Sequence, residues 1–299
     1  MAKNKNVLAI FAALTAQIIF GFSFMFTKIA LQTASPLVVI ANRYMAAFIL
    51  LGIWLLVKKI EINLKKNILP LLLMSVFQPC LYFIFESYGI KLTTSSFSSV
   101  MIALIPVASM ICGIFTLKEV PTLLQFVFMA LSVSGVVAMT FQGQSDGTVT
   151  AWGVLLLAGA VISSVGYNIL SRKLSAEFSV FERTFVMTLS GLVFFTIAAL
   201  VENINNPVMV VAAFFQSSYT YSILYLSVFS SVAAFLLLNF SHTYLPVAKT
   251  TAFSNITTVV SVVSGVVFLN EPFGALSGIA TFMIVAGVCG VQLIDVKNK

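Results

Sequence analysis

Gln78, Tyr82 and Glu86 stand four residues apart in the apolar stretch "QPCLYFIFESYGIK". On a helix that spacing puts an amide, a phenol and a carboxylate on one face. Glu86 is the unusual member. A carboxylate inside an apolar run costs several kcal/mol unless it faces a cavity, meets a partner or takes up a proton, so it is by default a functional candidate. Two chemistries suit a cavity: binding a substrate ammonium group, or carrying a proton. The competing reading is interfacial, with Glu86 about one turn from the outer end of its span and paired there with Lys28 or Lys91.

Other apolar runs carry similar stripes. Gln17 and Gly21 lie in the first; Ser164, Asn168 and Ser171 in the sixth; Ser231, Asn239 and His242 in the eighth; Thr251, Asn255 and Thr258 in the ninth. Hydroxyls in membrane helices mostly bond their own backbone or a neighbouring helix, whereas the amides have more hydrogen-bonding groups than lipid satisfies. Asn168, Asn239 and Asn255 therefore join Gln78, Tyr82 and Glu86 as candidate cavity residues. His242, the sole histidine, invites a proton-relay reading, but it stands just past the expected end of the eighth run, where a solvated loop residue is the plainer expectation. Lys28, Arg43, Lys173 and Arg183 fall near span ends. There, long basic side chains reach the headgroups, or they form a gate, with Lys28 and Arg43 at the outer mouth and Lys173 and Arg183 at the inner one. Phe83 and Phe235 would suit an aromatic substrate, although lipid contact accounts for most of the 28 Phe.

Cys80, Cys112 and Cys289 are far apart and each lies in an apolar run, so they read as small buried hydrophobes, not a disulfide framework or metal site. No metal ligand set and no cofactor motif is expected. Walker A, HExxH, CxxC and GxSxG patterns are missing, and no loop is long enough for an ATP-binding domain.

The elements that must hold these residues follow from composition. Of 299 residues, 60% are hydrophobic and 8% charged, and the mean hydropathy is +1.08. Most apolar side chains must face lipid or each other, so the lipid bilayer is the solvent. The net charge of +7 comes without a basic patch interleaved with aromatics, which argues against nucleic acid. Ten spans are predicted, over 7–31, 37–57, 68–89, 94–116, 122–141, 151–171, 180–201, 219–240, 246–269 and 273–294. The apolar run that follows the basic N-terminus is too long for a cleaved signal peptide and reads as a retained first span. The connection 202–218 is expected at the membrane interface. Lys and Arg in short loops mark the cytoplasmic side. Lys3, Lys5, Lys58, Lys59, Lys65, Lys66, Lys118, Arg172, Lys173, Lys297 and Lys299 share one side, so both termini are expected to be cytoplasmic.

The chain also repeats itself. At a shift of 152, "GIFTLKE" (113–119) lies over "GVVFLNE" (265–271), matching Glu119 with Glu271, and Gly135 meets Gly287. With a slightly different shift, Gly21 and Lys28 match Gly166 and Lys173, and Arg43 matches Arg183 if the intervening loop is shorter in the second half. Residues 1–145 and 146–299 thus form two five-span halves. Five is odd, so the second enters from the opposite side, an inverted repeat of the kind that rocks about a midplane site in transporters. Glu119 and Glu271 recur beside prolines, where each carboxylate is expected to meet free amides at the start of the following helix and serve the hairpin. Glu86 does not recur, since its counterpart is Leu238, and breaking the symmetry suits contact with an asymmetric substrate. Gly274 and Gly278 form a lone GxxxG, a weak signal for close packing or a homodimer.

The two stretches "SYGIKLTTSSFSSVMIALIPV" with "GIFTLKEVPTLLQFVFMALSVSGV", and "SHTYLPVAKTTAFSNITTVVSVVSGVVFLNEPFGALSGIATFMIVAGV", resemble the two halves of the EamA-type family of the drug/metabolite transporter superfamily. The resemblance implies ten helices, cytoplasmic termini and a central cavity lined by spans 1, 3, 4, 6, 8 and 9. It also implies export of small metabolites such as amino acids, with some relatives moving aromatic amino acids, amines or drugs. The expected protein is an all-α polytopic carrier in the cell membrane, a non-enzyme. It would export amino acids or related amines by alternating access, driven by a substrate or ion gradient and in one form coupled to protons. Uptake, passive conduction and a membrane-embedded enzyme are its rivals; the enzyme reading suffers because the acids are scattered.

Overall fold

Side-chain caps fix where helices begin. The Ser35 hydroxyl accepts from Val38 N, with Pro36 at the first helical position, and opens α2 (Pro36–Lys58). Thr94 Oγ1 accepts from Phe97 N at 3.0 Å to open α4 (Ser95–Ile102). Thr150 Oγ1 accepts from Gly153 N at 3.1 Å to open α7 (Ala151–Leu174). A reciprocal box opens α8 (Val180–Glu202), where Glu182 N donates to Ser179 Oγ and Ser179 N donates to Glu182 Oε2. The remaining helices are α1 (Ala2–Ala30), α3 (Leu69–Lys91), α5 (Ile105–Thr116), α6 (Leu123–Ser145), α9 (Ser217–Tyr244), α10 (Val247–Ala252), α11 (Ser254–Leu269) and α12 (Ala275–Leu293). The computed structural model describes residues 2–59, 68–116, 119–120, 122–145, 149–271, 274–294 and 297–298.

Among the described residues, seven helices are long and apolar enough to cross a membrane, and shorter apolar helices cover Ser95–Ser109, Leu123–Gly135 and Ala275–Gly287. Large apolar side chains such as Phe11, Ile53, Leu56, Phe115 and Trp152 point outward, as a bilayer solvent requires. The chain is a multi-pass membrane protein. A two-residue antiparallel pairing joins Glu119–Val120 to Lys297–Asn298; Lys65, Lys66 and Lys118 lie outside the described residues.

Several spans are less regular than predicted. The expected run 94–116 breaks at Ala103–Leu104, just before Pro106, and 246–269 breaks at Phe253. In α3, Gln78 has φ −145° and ψ 115° ahead of Pro79, inside a π-helical segment. Proline has no amide hydrogen to give to the ladder, so the helix yields there. The eighth span runs to Tyr244 instead of 240, carrying a π-helical stretch at Tyr225–Ala234 and stopping where Pro246 prevents continuation. The connection 202–218 holds a short helix, Met209–Ala212, followed by a 3-10 turn at Ala213–Phe215.

Packing pairs α2 with α8, α3 with α7, and α6 with α12, while α1 lies against α9 and α11. The α6–α12 crossing depends on small residues from both sides. A Cβ on Gly135 would sit 2.7 Å from Ala280 O, and one on Gly287 would sit 2.6 Å from Phe128 O. Carbonyls cannot move aside as side-chain tips can, so only glycine fits. Gly274 ends up as the N-cap of α12.

Candidate functional site

The breaks and bulges open one polar cavity between α1, α2, α3, α4, α5, α7, α9, α10 and α11, with a volume of about 60 Å³. A water needs roughly 10–15 Å³ by such a measure, so a few waters fit and a metabolite does not without movement of the walls. The helices are those the resemblance implied, with α2 added.

Glu86 is buried, and its Oε1 accepts from Tyr82 Oη at 2.8 Å. Lys28 does not pair with it: that amine donates to the carbonyls of Ile90 and Thr93 at the end of α3. Lys91 is exposed. The charge that Glu86 faces is Arg43. Arg43 was expected at the headgroups or in an outer gate. It begins seven residues into α2, roughly 10 Å below the helix start, and the residue is 3% exposed. Nε donates to Ser231 Oγ at 2.6 Å and Nη2 to Ser230 Oγ at 2.7 Å, and the group lies 4.2 Å from the centre of the Phe83 ring. A charge held this way inside a membrane protein has its donors directed and its face covered.

Gln78 and Asn168 line the same cavity. Gln78 does so from a non-helical backbone, so the even i, i+4, i+8 stripe is not the geometry that brings it beside Tyr82 and Glu86. Asn239 and Asn255 do not line it. Asn239 Oδ1 accepts from Tyr167 Oη at 3.0 Å and Ser171 Oγ at 2.7 Å, and its Nδ2 donates to Thr184 Oγ1 at 2.9 Å. Asn255 Nδ2 donates to Ser132 Oγ of α6. The break at Phe253 gives the cavity side of this span to Thr251, Ser254 and Thr257 instead.

Arg183 is fully buried, not at an inner mouth. It donates to Ser171 O and Oγ, to Asn239 O and to Thr243 Oγ1, tying α7, α8 and α9 together. Lys173 is exposed. His242, expected in a solvated loop, is fully buried inside α9 because that helix outlasts its apolar pattern. Its Nδ1 lies 3.0 Å from Ser171 Oγ, and the ring lines the cavity.

Glu271 does meet free amides, but not at the helix that follows it. Its Oε1 accepts from Ser95 N and Ser95 Oγ, each at 2.9 Å, and its Oε2 accepts from Ser96 N at 3.0 Å and from the Ser96 hydroxyl. It therefore caps α4, the broken span of the other half. The side chain of Glu119 lies outside the described residues. Cys80 is buried and Cys112 half-buried, both without a disulfide; the Cys289 side chain lies outside the described residues. A second crevice of about 760 Å³ between α3 and α8 has almost wholly hydrocarbon walls. Its carboxylate, Glu182, serves the α8 cap, so that crevice suits a lipid tail better than a polar solute.

A bundle of breached apolar helices around a buried, charged cavity is the build of a membrane carrier. The chain belongs to the EamA-like transporter family, which matches residues 7–141 and 151–293. It is 31% identical to the transporter YcxC of Bacillus subtilis strain 168, over 100% of this chain and 97% of that one. It is 30% identical to a S-adenosylmethionine/S-adenosylhomocysteine transporter of Chlamydia trachomatis serovar L2, over 68% of this chain and 65% of that one. A solved structure titled "Crystal structure of protein" shares the fold, with a TM-score of 0.76 and 16% identity over 95% of this chain and 98% of that one. The protein is a small-molecule transporter of the drug/metabolite transporter superfamily.

Proposed function

We propose that this carrier exports a small metabolite with an amino-acid-type zwitterionic head, by alternating access of two inverted halves, 1–145 and 146–299. One observation carries the reading: a guanidinium, Arg43, and a carboxylate, Glu86, both buried, face the same cavity. Arg43 suits a substrate carboxylate, and Glu86 suits an ammonium group. The cargo named for the Chlamydia relative carries such a head. With substrate absent, the two opposite charges act on each other only through space while their hydrogen bonds go to Ser230, Ser231 and Tyr82, which favours a substrate that brings both counter-charges over a simple amine or acid. Glu86 is also the group through which proton coupling would act.

The inverted-repeat reading draws support from the packing: α2–α8 and α6–α12 join corresponding spans of the two halves, and α3–α7 has its counterpart in α9–α1. With both termini cytoplasmic, the Glu271 cap and Lys28 lie at the outer face. The contact of Lys5 with the Tyr244 ring, 5.5 Å from its centroid, lies at the inner face. Each face then carries a contact that must loosen as the cavity opens toward it.

Counterflow into proteoliposomes tests the proposal. Labelled zwitterions, including methionine, tryptophan and S-adenosylhomocysteine, are expected to enter saturably and faster when unlabelled substrate is on the far side. Arg43→Gln is expected to abolish that exchange. Flux that neither saturates nor responds to substrate across the membrane would overturn the proposal.

A further inference from the structure

Hydrogen-bond geometry fixes the tautomer of His242 and through it a second recognition point in the cavity. Thr184 Oγ1 donates to Val180 O, so it must accept from Asn239 Nδ2. Asn239 is thereby oriented with Oδ1 toward Tyr167 and Ser171, and it takes the Ser171 hydroxyl proton at 2.7 Å. Ser171 Oγ, having given its proton away, acts as acceptor toward Arg183 Nη1 at 3.0 Å and toward His242 Nδ1 at 3.0 Å. His242 therefore carries its proton on Nδ1. Arg172 donates to His242 O and Thr243 O, and Arg183 to Asn239 O and Thr243 Oγ1, so two guanidiniums already hold this corner. A second ring proton would add a third positive charge beside these two. That leaves the ring neutral, with a bare lone pair on Nε2.

Nε2 is buried and has no partner among the described residues, and His242 lines the cavity whereas Ser171, the partner of its Nδ1, does not. Ser254 Oγ, also buried and without a partner, lines the same cavity from the next helices. The amide of Asn168 lies in that wall as well. Thr250 and Thr251, by contrast, spend their hydroxyls on Pro246 O and Val247 O. An unmet buried acceptor is costly, and a site that holds one selects for ligands that satisfy it.

We infer that His242 Nε2, with Ser254 in the same cavity wall, is a specificity point that accepts a hydrogen bond from an N–H or O–H group on the distal part of the substrate. This rests on the zwitterion reading, which places the charged head at Arg43 and Glu86. The cargo would then be a zwitterion whose side chain ends in a donor, such as an exocyclic amine, a ring N–H or an amide, and not a purely aliphatic one.

Isosteric probe pairs isolate the donor: tryptophan against β-(3-benzothienyl)alanine, and S-adenosylhomocysteine against its analogue lacking the 6-amino group. Wild type is expected to prefer the donor-bearing member of an accepted pair by about 10- to 100-fold in competition for counterflow. His242→Leu is expected to erase the preference by weakening that member alone. Because there is one histidine in the chain, its ¹⁵N spectrum in the unmodified protein is a second test that needs no variant. The proton should sit on Nδ1, and Nε2 should shift with the donor-bearing probe and not with its isostere. Equal handling of both members by wild type, a preference that survives His242→Leu, or a proton on Nε2 would overturn the inference. Failure to transport any zwitterion would instead overturn the reading of Arg43 and Glu86.

Discussion

Replacing Glu271 by glutamine should open the face at which α4 begins, the outer one in the proposed topology. The carboxylate accepts four hydrogen bonds from Ser95 and Ser96, at 2.9, 2.9 and 3.0 Å for the three of ordinary length. Glutamine retains one acceptor oxygen and turns an amide NH₂ toward the other serine, so one backbone N–H bond is lost and the hydroxyl beside it reverses to accept, and neither remains a bond to a charge. Hydrogen bonds to a charged group contribute about 1.5–3 kcal/mol each. Glu271 is half-buried, so halving for solvent screening leaves about 1.5–3 kcal/mol for the pair. If the bonds exist only while the outer face is closed, the closed-to-open ratio falls by roughly 10- to 150-fold. Single cysteines at Ser23 and Thr257, in a background lacking Cys80, Cys112 and Cys289, report the change through labelling by an impermeant maleimide added outside. Labelling at both should rise in Glu271→Gln and stay low in wild type. A variant with a lowered Tm but unchanged labelling would refute the reasoning, because the cap would then stabilise α4 equally in every state.

Gly135→Ala and Gly287→Ala each drive a methyl against a carbonyl and should cost about 1–3 kcal/mol, read as a lowered Tm in detergent, whereas the half-buried Gly52, with open space where a Cβ would go, should accept alanine at no such cost. Arg43→Met and Glu86→Gln should each destabilise by about 2–3 kcal/mol by stranding the other charge, and the double variant should cost less than their sum, as a double-mutant cycle of unfolding free energies would show. Asn239→Leu removes three side-chain hydrogen bonds, so a loss of about 2–3 kcal/mol is expected as a lowered Tm, and because it frees the Ser171 hydroxyl to donate to His242 Nδ1, the preference for donor-bearing probes should fall with it.

The spans were legible because apolar runs of about 20 residues are local signals. The caps Ser35, Thr150, and Ser179 with Glu182 went unread, although their partners lie within three residues. The partner of Glu271 was not legible: carboxylate and amides were foreseen, but the amides belong to a helix 175 and 176 residues away in the chain. Arg43 was misread for a related reason. Its depth follows from where α2 starts, yet its partners, Ser230 and Ser231, are neighbours on a π-helical stretch that periodicity does not announce. His242 was placed in a loop because the apolar pattern fades near 240, while Pro246 sets the actual end. The amides of Asn239 and Asn255 do need polar partners, as their chemistry demands. They find them in helix contacts, and only Asn168 of the three asparagines reaches the cavity.

The most direct test of the central claim is equilibrium binding of one transported zwitterion to the purified carrier, beside its carboxamide and its deaminated analogue. The account predicts that both analogues bind at least about tenfold more weakly. It also predicts that Arg43→Gln removes the penalty for the carboxamide, and Glu86→Gln the penalty for the deaminated form. Equal affinity for all three compounds, or penalties untouched by either variant, would contradict it.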